Sequence, residues 1–380
     1  MESGTKYSST KKKTSTKKTS TKKKTLDDKD FFKDRITKKI KTNSVIKKGC
    51  LDKNNVLDKK FKVQTRIGTD SVDGEVYKGC YSAKCKYKIA IKKIPMTYEI
   101  KYVNDPENES VLNHFEVYSE LFFLKLSSFL VHNDVVPNLP LIYDTYSCED
   151  DCKFINPELK GKKKCMLVIN ELADGDLKYI IKKVKPNIDI IKIMYFQIYV
   201  SLYCMRKYFN LYHNDLHYGN VLFRKIKPGG YIKYIIEGID IVVPNIGYIM
   251  ILWDFGRSFI PGKIEPHKTK NKDIEFMDFL RITAMLSHST GKYAKEYDIM
   301  AERIENLIHR LKNYNDFMIV YSMLVHTDNV KEEDIIAVYD TDKKIKSKNS
   351  NINKYLVSNP KKSNPEFVKY FKNEFNKLKN

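Results

Sequence analysis

The sequence predicts an α+β fold in two lobes: a small antiparallel β lobe carrying one main helix, then a larger, mainly helical lobe. Three observations predict it. Strand-like runs, alternating or unbroken in apolar character, dominate from Phe61 to Asn170. Helical apolar spacing takes over from Tyr179, so a boundary falls near residue 172. Residues 1–58 are rich in Lys, Ser and Thr, with Thr14-Ser-Thr-Lys-Lys18 repeated as Thr19-Ser-Thr-Lys-Lys23; such a segment cannot bury enough apolar surface to offset its chain entropy. The chain therefore divides into a tail over 1–58, expected to be disordered, a first lobe over 59–172 and a second over 173–380.

The elements follow in order. Phe61–Ile67 and Glu75–Cys80 read as two strands joined by the turn Gly68-Thr-Asp-Ser-Val-Asp-Gly74, and Lys88–Ile94 as a third. Pro106 precedes a helix over Glu107–Leu126 whose apolar side includes Phe115, Leu121, Phe122 and Leu124. Leu139–Tyr146 and Cys165–Asn170 are two further strands. A helical section spans Tyr179–Phe209. Lys225–Tyr248, with Pro228-Gly-Gly230, reads as an extended surface hairpin. From Asp273 the chain turns helical, with helices around Phe276–Leu286, Glu302–Asn313 and Pro365–Leu378 and a polar loop over Lys343–Asn353.

At 380 residues and 42% apolar composition, the chain can bury a proper core. Lys and Arg number 69 against 47 Asp and Glu, unevenly spread: residues 1–50 hold 17 basic and 5 acidic residues, the remainder 52 and 42. A tail so charged favours anionic partners, such as nucleic acid or acidic protein, with binding that weakens in salt. The folded part lacks the interleaved basic and aromatic residues of a nucleic-acid interface. No run approaches 18 apolar residues and no charged-then-apolar leader opens the sequence, so no membrane span is expected and the setting is read as intracellular, cytoplasmic or nuclear. The seven cysteines are then expected as reduced thiols. Cys148-Glu-Asp-Asp-Cys152 has a loose metal-ligand look but no second pair at useful spacing, so no metal site is assigned to it.

The chemistry lies in two stretches. Leu211–Phe223 contains His213-Asn-Asp215-Leu-His217-Tyr-Gly-Asn220, and Ile251–Ser258 contains Trp253-Asp254-Phe-Gly256. An Asp, an Asn five residues on and a later Asp fit phosphoryl transfer: one carboxylate takes a hydroxyl proton, while the amide and the other carboxylate hold magnesium. Upstream, Gly68 and Gly74 at a hairpin tip let backbone approach phosphates without Cβ interference, and Ile89-Ala90-Ile91-Lys92 follows where a strand lysine can reach them. Glu120 can face that lysine; Glu116, on the same helix face, is its rival.

These residues, in this order, resemble the eukaryotic protein-kinase superfamily from about Phe61 to at least Leu286. The resemblance implies a bilobal kinase fold with ATP between the lobes and magnesium beside it. It implies that Asp215 is the catalytic base, that Lys92 holds the α- and β-phosphates and pairs with Glu120, and that Asn220 and Asp254 bind the metal. It also implies a nucleotide pocket including Gly68, Gly74, Val76 and Ala90, a hinge at Asn170–Leu172 with Ile169 behind it, and Asp176 near the ribose. His213 and Asp278 look like the pair that braces the catalytic loop. The closer similarity is to haspin, whose catalytic loop also reads Asp-Leu-His-aromatic-Gly-Asn-Val-Leu and leads into a long hairpin, although haspin lacks the Asp-Phe-Gly kept here. The Lys-, Asn-, Ile- and Tyr-rich composition is similar to serine/threonine kinases of giant DNA viruses of the mimivirus type, which implies a host-cell or virion setting.

Several departures qualify the resemblance. Gly68 and Gly74 lie one residue further apart than the family's outer glycines, and the middle glycine is missing. Asn214 stands where an Arg usually receives a phosphorylated activation loop, so that switch is not expected. His217 replaces the usual Lys of Ser/Thr kinases, and no Ala-Pro-Glu follows Asp254-Phe-Gly. Asp-Leu-His also occurs in small-molecule kinases of the aminoglycoside and choline type, and the altered glycine loop is compatible with a non-catalytic scaffold. The leading reading is an ATP- and magnesium-dependent kinase acting on Ser/Thr of protein substrates.

Overall fold

The computed structural model describes residues 46–68, 73–81, 85, 87–96, 106–266, 275–288 and 292–379. A seven-stranded sheet forms the first lobe. Its strands are β1 (Lys47–Lys48), β2 (Val56–Leu57), β3 (Phe61–Ile67), β4 (Glu75–Tyr81), β5 (Tyr87–Pro95), β6 (Ile142–Cys148) and β7 (Cys165–Glu171), in spatial order β1-β6-β7-β5-β4-β3-β2. All pairings are antiparallel except β1 with β6. Strand β3, near an edge, begins in the buried–exposed alternation of a half-covered strand, whereas the inner strand β7 is buried throughout. That inner position explains the near-continuous apolar run of β7.

The tail ends earlier than expected. Two short strands within residues 46–58 join the sheet: Lys47 and Lys48 pair with Tyr146 and Ser147, and Leu57 is buried opposite Phe61. The lysine-rich composition hid Ile46, Leu51 and Leu57: Leu57 joins the core, and Ile46 and Leu51 pack against it. The rest of the proposed tail, 1–45, lies outside the described residues.

The expected single helix is two, α1 (Glu109–His114) and α2 (Glu116–His132). Phe115 separates them with extended backbone, φ −127° and ψ 101°, its N–H closing α1 on Val111 O. Helix α2 runs past Leu126 because Phe129, Leu130 and Val131 keep feeding the core.

At the centre of the second lobe lies α3 (Ile188–Phe209), capped by Asn187, whose side chain accepts from Ile190 N, and ended by Asn210 in the left-handed region. Among the described residues it is the one helix long and apolar enough to cross a membrane, yet it is mostly buried within the protein. Gln197, on α3, ties the parts together. It accepts from Asn138 Nδ2 and Met250 N, each at 2.8 Å, and donates to Tyr248 O at 3.0 Å.

Strands β8 (Gly175–Asp176), β9 (Val221–Lys225) and β12 (Tyr248–Leu252) form a small sheet, ordered β12-β9-β8, that frames the two motif stretches. Between β9 and β12, β10 (Tyr231–Ile236) and β11 (Ile239–Pro244) make the expected hairpin, but it is not merely a surface feature. Ile232, Tyr234 and Ile236 are buried, and β10 pairs in parallel with β13 (Ile335–Asp340). Strand β13 escaped the sequence reading because it is a single partly covered edge strand among helices. The remaining helices of six residues or more among the described residues are α4 (Met277–Ala284), α5 (Ala294–Leu311), α6 (Tyr314–Met323), α7 (Ser350–Tyr355) and α8 (Pro365–Lys379). Helix α7 begins within the stretch read as a polar loop; Asn349 caps it by accepting from Asn351 N.

The cysteines also depart from expectation. Where reduced thiols were anticipated, sulfur–sulfur pairs join Cys50 to Cys148, Cys80 to Cys85 and Cys152 to Cys165, with Cys204 buried and free. The fold brings these side chains together; Cys50 and Cys148 are 98 residues apart in sequence.

Candidate active site

Lys92 sits in β5, buried between β4 and β7, opposite Val76 and Val168. Its Nζ donates to Glu120 Oε1 at 2.6 Å and to Asp254 Oδ1 at 3.0 Å. The fold thus decides between the two candidate glutamates: Glu120 is buried on α2 beside the lysine, while Glu116 is exposed in the helix's first turn. Burial alone would lower the lysine's pKa, but the two carboxylates outweigh it and hold Lys92 well above the usual lysine range. Burial raises the Glu120 carboxyl, with Lys92 pulling the other way. Asp254 is pushed up by burial and pulled down further by Lys92, which leaves it below the ordinary carboxylate value. Asp254 has φ 65°, a left-handed backbone that turns the chain between β12 and Phe255. Phe255 is fully buried with its ring 5.0 Å from that of His213.

The catalytic-loop candidates are held mainly by backbone. Asp278, at the start of α4, accepts from His213 N at 2.7 Å and Asn214 N at 2.8 Å. His213 is buried, which depresses its pKa, and its Nε2 pairs with Trp253 O at 2.8 Å. These contacts make the expected bracing pair. Asp215 is partly exposed, and Asn220 Nδ2 donates to its backbone O at 2.9 Å and its Oδ2 at 3.2 Å. With its amide N–H groups committed to Asp215, Asn220 keeps its side-chain oxygen as a ligand. Trp253 N donates to Asn220 O at 2.8 Å, which fixes Asn220 next to the Asp254 turn. The donor set suits magnesium: a hard carboxylate and a hard amide oxygen, with a lysine beside them for phosphate. The two motif stretches are clasped again by reciprocal backbone bonds between Tyr212 and Phe259.

Asn214, also at positive φ, donates through Nδ2 to Arg257 O at 3.1 Å, and Arg281 of α4 donates to both its backbone oxygen and its Oδ1. Sequence reasoning missed Arg281; its only signal was a position three residues after Asp278. His217 is exposed and accepts from Gly219 N through Nδ1 at 3.0 Å.

The remaining candidates line up less evenly. Gly68 and Gly74 both have positive φ, but residues 69–72 between them are outside the described residues. At Gly74 a Cβ would lie 2.5 Å from Lys93 O, so backbone packing as well as conformation demands glycine there. Val76 is half-buried, and Ala90 is buried opposite Asn170. Asn170 itself is fully buried between β5 and β6 and folds its amide onto Val168 O, so its side chain stays inside the sheet; Leu172 is half-buried just beyond the end of β7. Asp176 pairs with Leu222 in the small sheet and accepts from Tyr179 N at 2.7 Å, capping a helical turn.

The family model described as haspin-like kinase domain matches residues 5–326. The chain belongs to the haspin-like kinase domain family. Its α+β architecture, with a curled sheet lobe and a helical lobe, is the bilobal kinase fold. Among curated proteins it is 30% identical over 148 residues to "Probable serine/threonine-protein kinase 380R" of Invertebrate iridescent virus 6, covering 37% of this chain and 27% of that protein. It is 31% identical over 128 residues to "Putative serine/threonine-protein kinase 019R" of Frog virus 3 (isolate Goorha), covering 32% of this chain and 14% of that protein. It is also 29% identical over 152 residues to "Uncharacterized protein 098R" of Invertebrate iridescent virus 6, covering 36% of this chain and 24% of that protein. The matches thus span under a third of each relative's length, and all three relatives are viral. In this chain the Asp-Leu-His loop leads through β9 into the β10–β11 hairpin, which pairs with β13.

Proposed function

We propose that this chain is a protein kinase that transfers the γ-phosphoryl group of ATP, with magnesium, to Ser or Thr hydroxyls of protein substrates. The observation that carries the reading is the convergence of Lys92, Glu120 and Asp254 with the Asp215–Asn220 pair, joined through the Trp253 N to Asn220 O bond. Phosphoryl transfer needs positioning and charge neutralisation more than covalent help, so these few groups suffice.

In this reading Asp215 accepts the proton of the attacking hydroxyl. The hydroxyl oxygen forms a bond to the γ-phosphorus, the bond from that phosphorus to the bridging β-phosphate oxygen breaks, and ADP leaves. Lys92, kept cationic by its two carboxylates, neutralises the phosphates. Asn220 and Asp254 would hold magnesium, which when bound spreads the phosphate charge. Asn220 also orients Asp215 through the bond to Oδ2. Asn214 and Arg281 brace the loop from within the fold, which supports a site assembled without a phosphorylated activation loop. The strongly basic residues 1–50 are proposed to contact an anionic partner, such as nucleic acid or acidic protein.

The test is transfer from magnesium-ATP to a panel of protein and small-molecule acceptors by the full chain and by Asp215→Asn. Loss of the proton acceptor is expected to cut protein labelling by at least ~100-fold. Equal labelling by the variant, or labelling confined to small molecules, refutes the assignment.

A further inference from the structure

Four cysteines around the β6–β7 hairpin take no part in the site above. Cys148 ends β6 and Cys165 opens β7, and the two face each other across the antiparallel ladder. Cys152 lies in the connecting loop, where its N–H donates to Lys163 O at 2.9 Å and folds the loop back towards the strands. The Sγ atoms of Cys148, Cys152 and Cys165 lie within 4.8 Å of one another, and all three residues are buried. Cys50, just after β1, adjoins Cys148. Cysteine sulfurs from separate stretches of chain therefore converge on one corner of the sheet.

We propose that, with its two sulfur–sulfur pairs in the reduced thiol state, this corner is a structural zinc site, with Cys148, Cys152 and Cys165 as thiolate ligands and Cys50 as the fourth. Tetrahedral zinc holds its sulfurs about 2.3 Å from the metal and hence about 3.8 Å from one another, so with the Cys50–Cys148 and Cys152–Cys165 pairs reduced the clustered sulfurs need only side-chain rotations to bind it. Two separate disulfides have no need to share one point, yet here the sulfur of Cys148 lies close to those of both Cys152 and Cys165. The chemistry points the same way. The chain is synthesised with thiols, and each disulfide requires an oxidant to accept two electrons while two protons leave. Zinc requires none: four thiols each release a proton to solvent and four sulfur–zinc bonds form, giving a centre of net charge −2.

The site has a structural task. The connection over residues 149–164 is long for a hairpin and carries only one helical turn, Pro157–Leu159. Its middle is held by Glu75, which accepts from Ile155 N at 2.5 Å and Asn156 N at 2.6 Å. Zinc would clamp its two ends together and fasten the entering segment at Cys50 to the same corner. In sequence Cys148 and Cys152 lack a second pair at useful spacing; the strand register supplies Cys165, and the segment just after β1 supplies Cys50.

The test uses the full chain, purified with reductant and zinc and then desalted. The zinc site predicts about one zinc per chain by elemental analysis, at least five free thiols after chelation in denaturant, and the intense visible bands of a tetrahedral thiolate complex when cobalt replaces zinc. Cys152→Ser and Cys165→Ser should lose the metal, while Cys80→Ser retains it. If the serine variants do not fold, the cobalt spectrum of the unaltered chain still decides. Absence of stoichiometric zinc, fewer than five thiols, or zinc retained by both serine variants overturns the proposal.

Discussion

Replacing Glu120 by Gln removes one charge from the centre of the site while keeping its shape and a hydrogen-bond acceptor. Lys92 and Glu120 side chains are each 6% exposed, and Lys92 Nζ is 2.6 Å from Glu120 and 3.0 Å from Asp254. Breaking a buried ion pair by removing one partner typically costs ~3–5 kcal/mol, because the survivor is left uncompensated. Here Asp254 still compensates Lys92, and the Gln oxygen still accepts a hydrogen bond, so the expected loss is about 2 kcal/mol. The second consequence is chemical. Lys92 would be held by Asp254 alone and would compete with magnesium for that carboxylate. Phosphoryl transfer should fall on the order of 100-fold, about 2.7 kcal/mol of barrier, with the deficit largest at low magnesium. Urea unfolding of the full chain gives the first quantity, and initial rates across a magnesium titration give the second. Glu116→Gln, on the exposed first turn of α2, is the control and should stay within ~0.5 kcal/mol of the parent. A Glu120→Gln protein with parental stability and a rate within about twofold of the parent at every magnesium concentration would refute the assigned role of the pair.

Two further outcomes follow from the same geometry. Gly74→Ala must place a Cβ 2.5 Å from Lys93 O at φ 143°, whereas Gly68→Ala, at φ 82°, meets open space. Unfolding should show a loss of at least ~2 kcal/mol for the first and about 1 kcal/mol for the second. His213 is buried and neutral in the fold, with its pKa depressed below the ordinary 6.5. The unfolded chain therefore binds its proton first as pH falls: the stability is fully present above about 6.5 and is lost towards the lowered folded value, with a slope of at most ~1.4 kcal/mol per pH unit. Urea midpoints of the parent and of His213→Gln between pH 7 and 5 should show a shallower dependence in the variant.

The candidate catalytic motifs were legible because phosphoryl transfer tolerates few residue types and each motif keeps its own short internal spacing. Lys92 on a buried strand, Asp215 and Asn220 five apart, and Asp254 before Phe-Gly could be found without any fold. The strands β3, β4, β5 and β7 were likewise readable from local pattern, since each buries a face or both faces. What depends on long-range pairing was not readable. Glu116 and Glu120 are equivalent by helical spacing, and only the seating of α2 against β5 buries Glu120 beside Lys92. Short edge pieces such as β1 and β2, and the isolated β13, carry too few residues for periodicity to register; they exist because a neighbouring strand offers its free edge. Arg281 reaches Asn214 only through the docking of α4.

Local chemistry in the sequence thus singled out Lys92, Asp215, Asn220 and Asp254 as the groups proposed to handle phosphate and metal, because residue type and spacing carry that information. The tertiary structure decided which glutamate faces the lysine, where the tail joins the sheet, and which cysteines meet. Those are properties of strand register and helix docking, and nothing local in the chain encodes them.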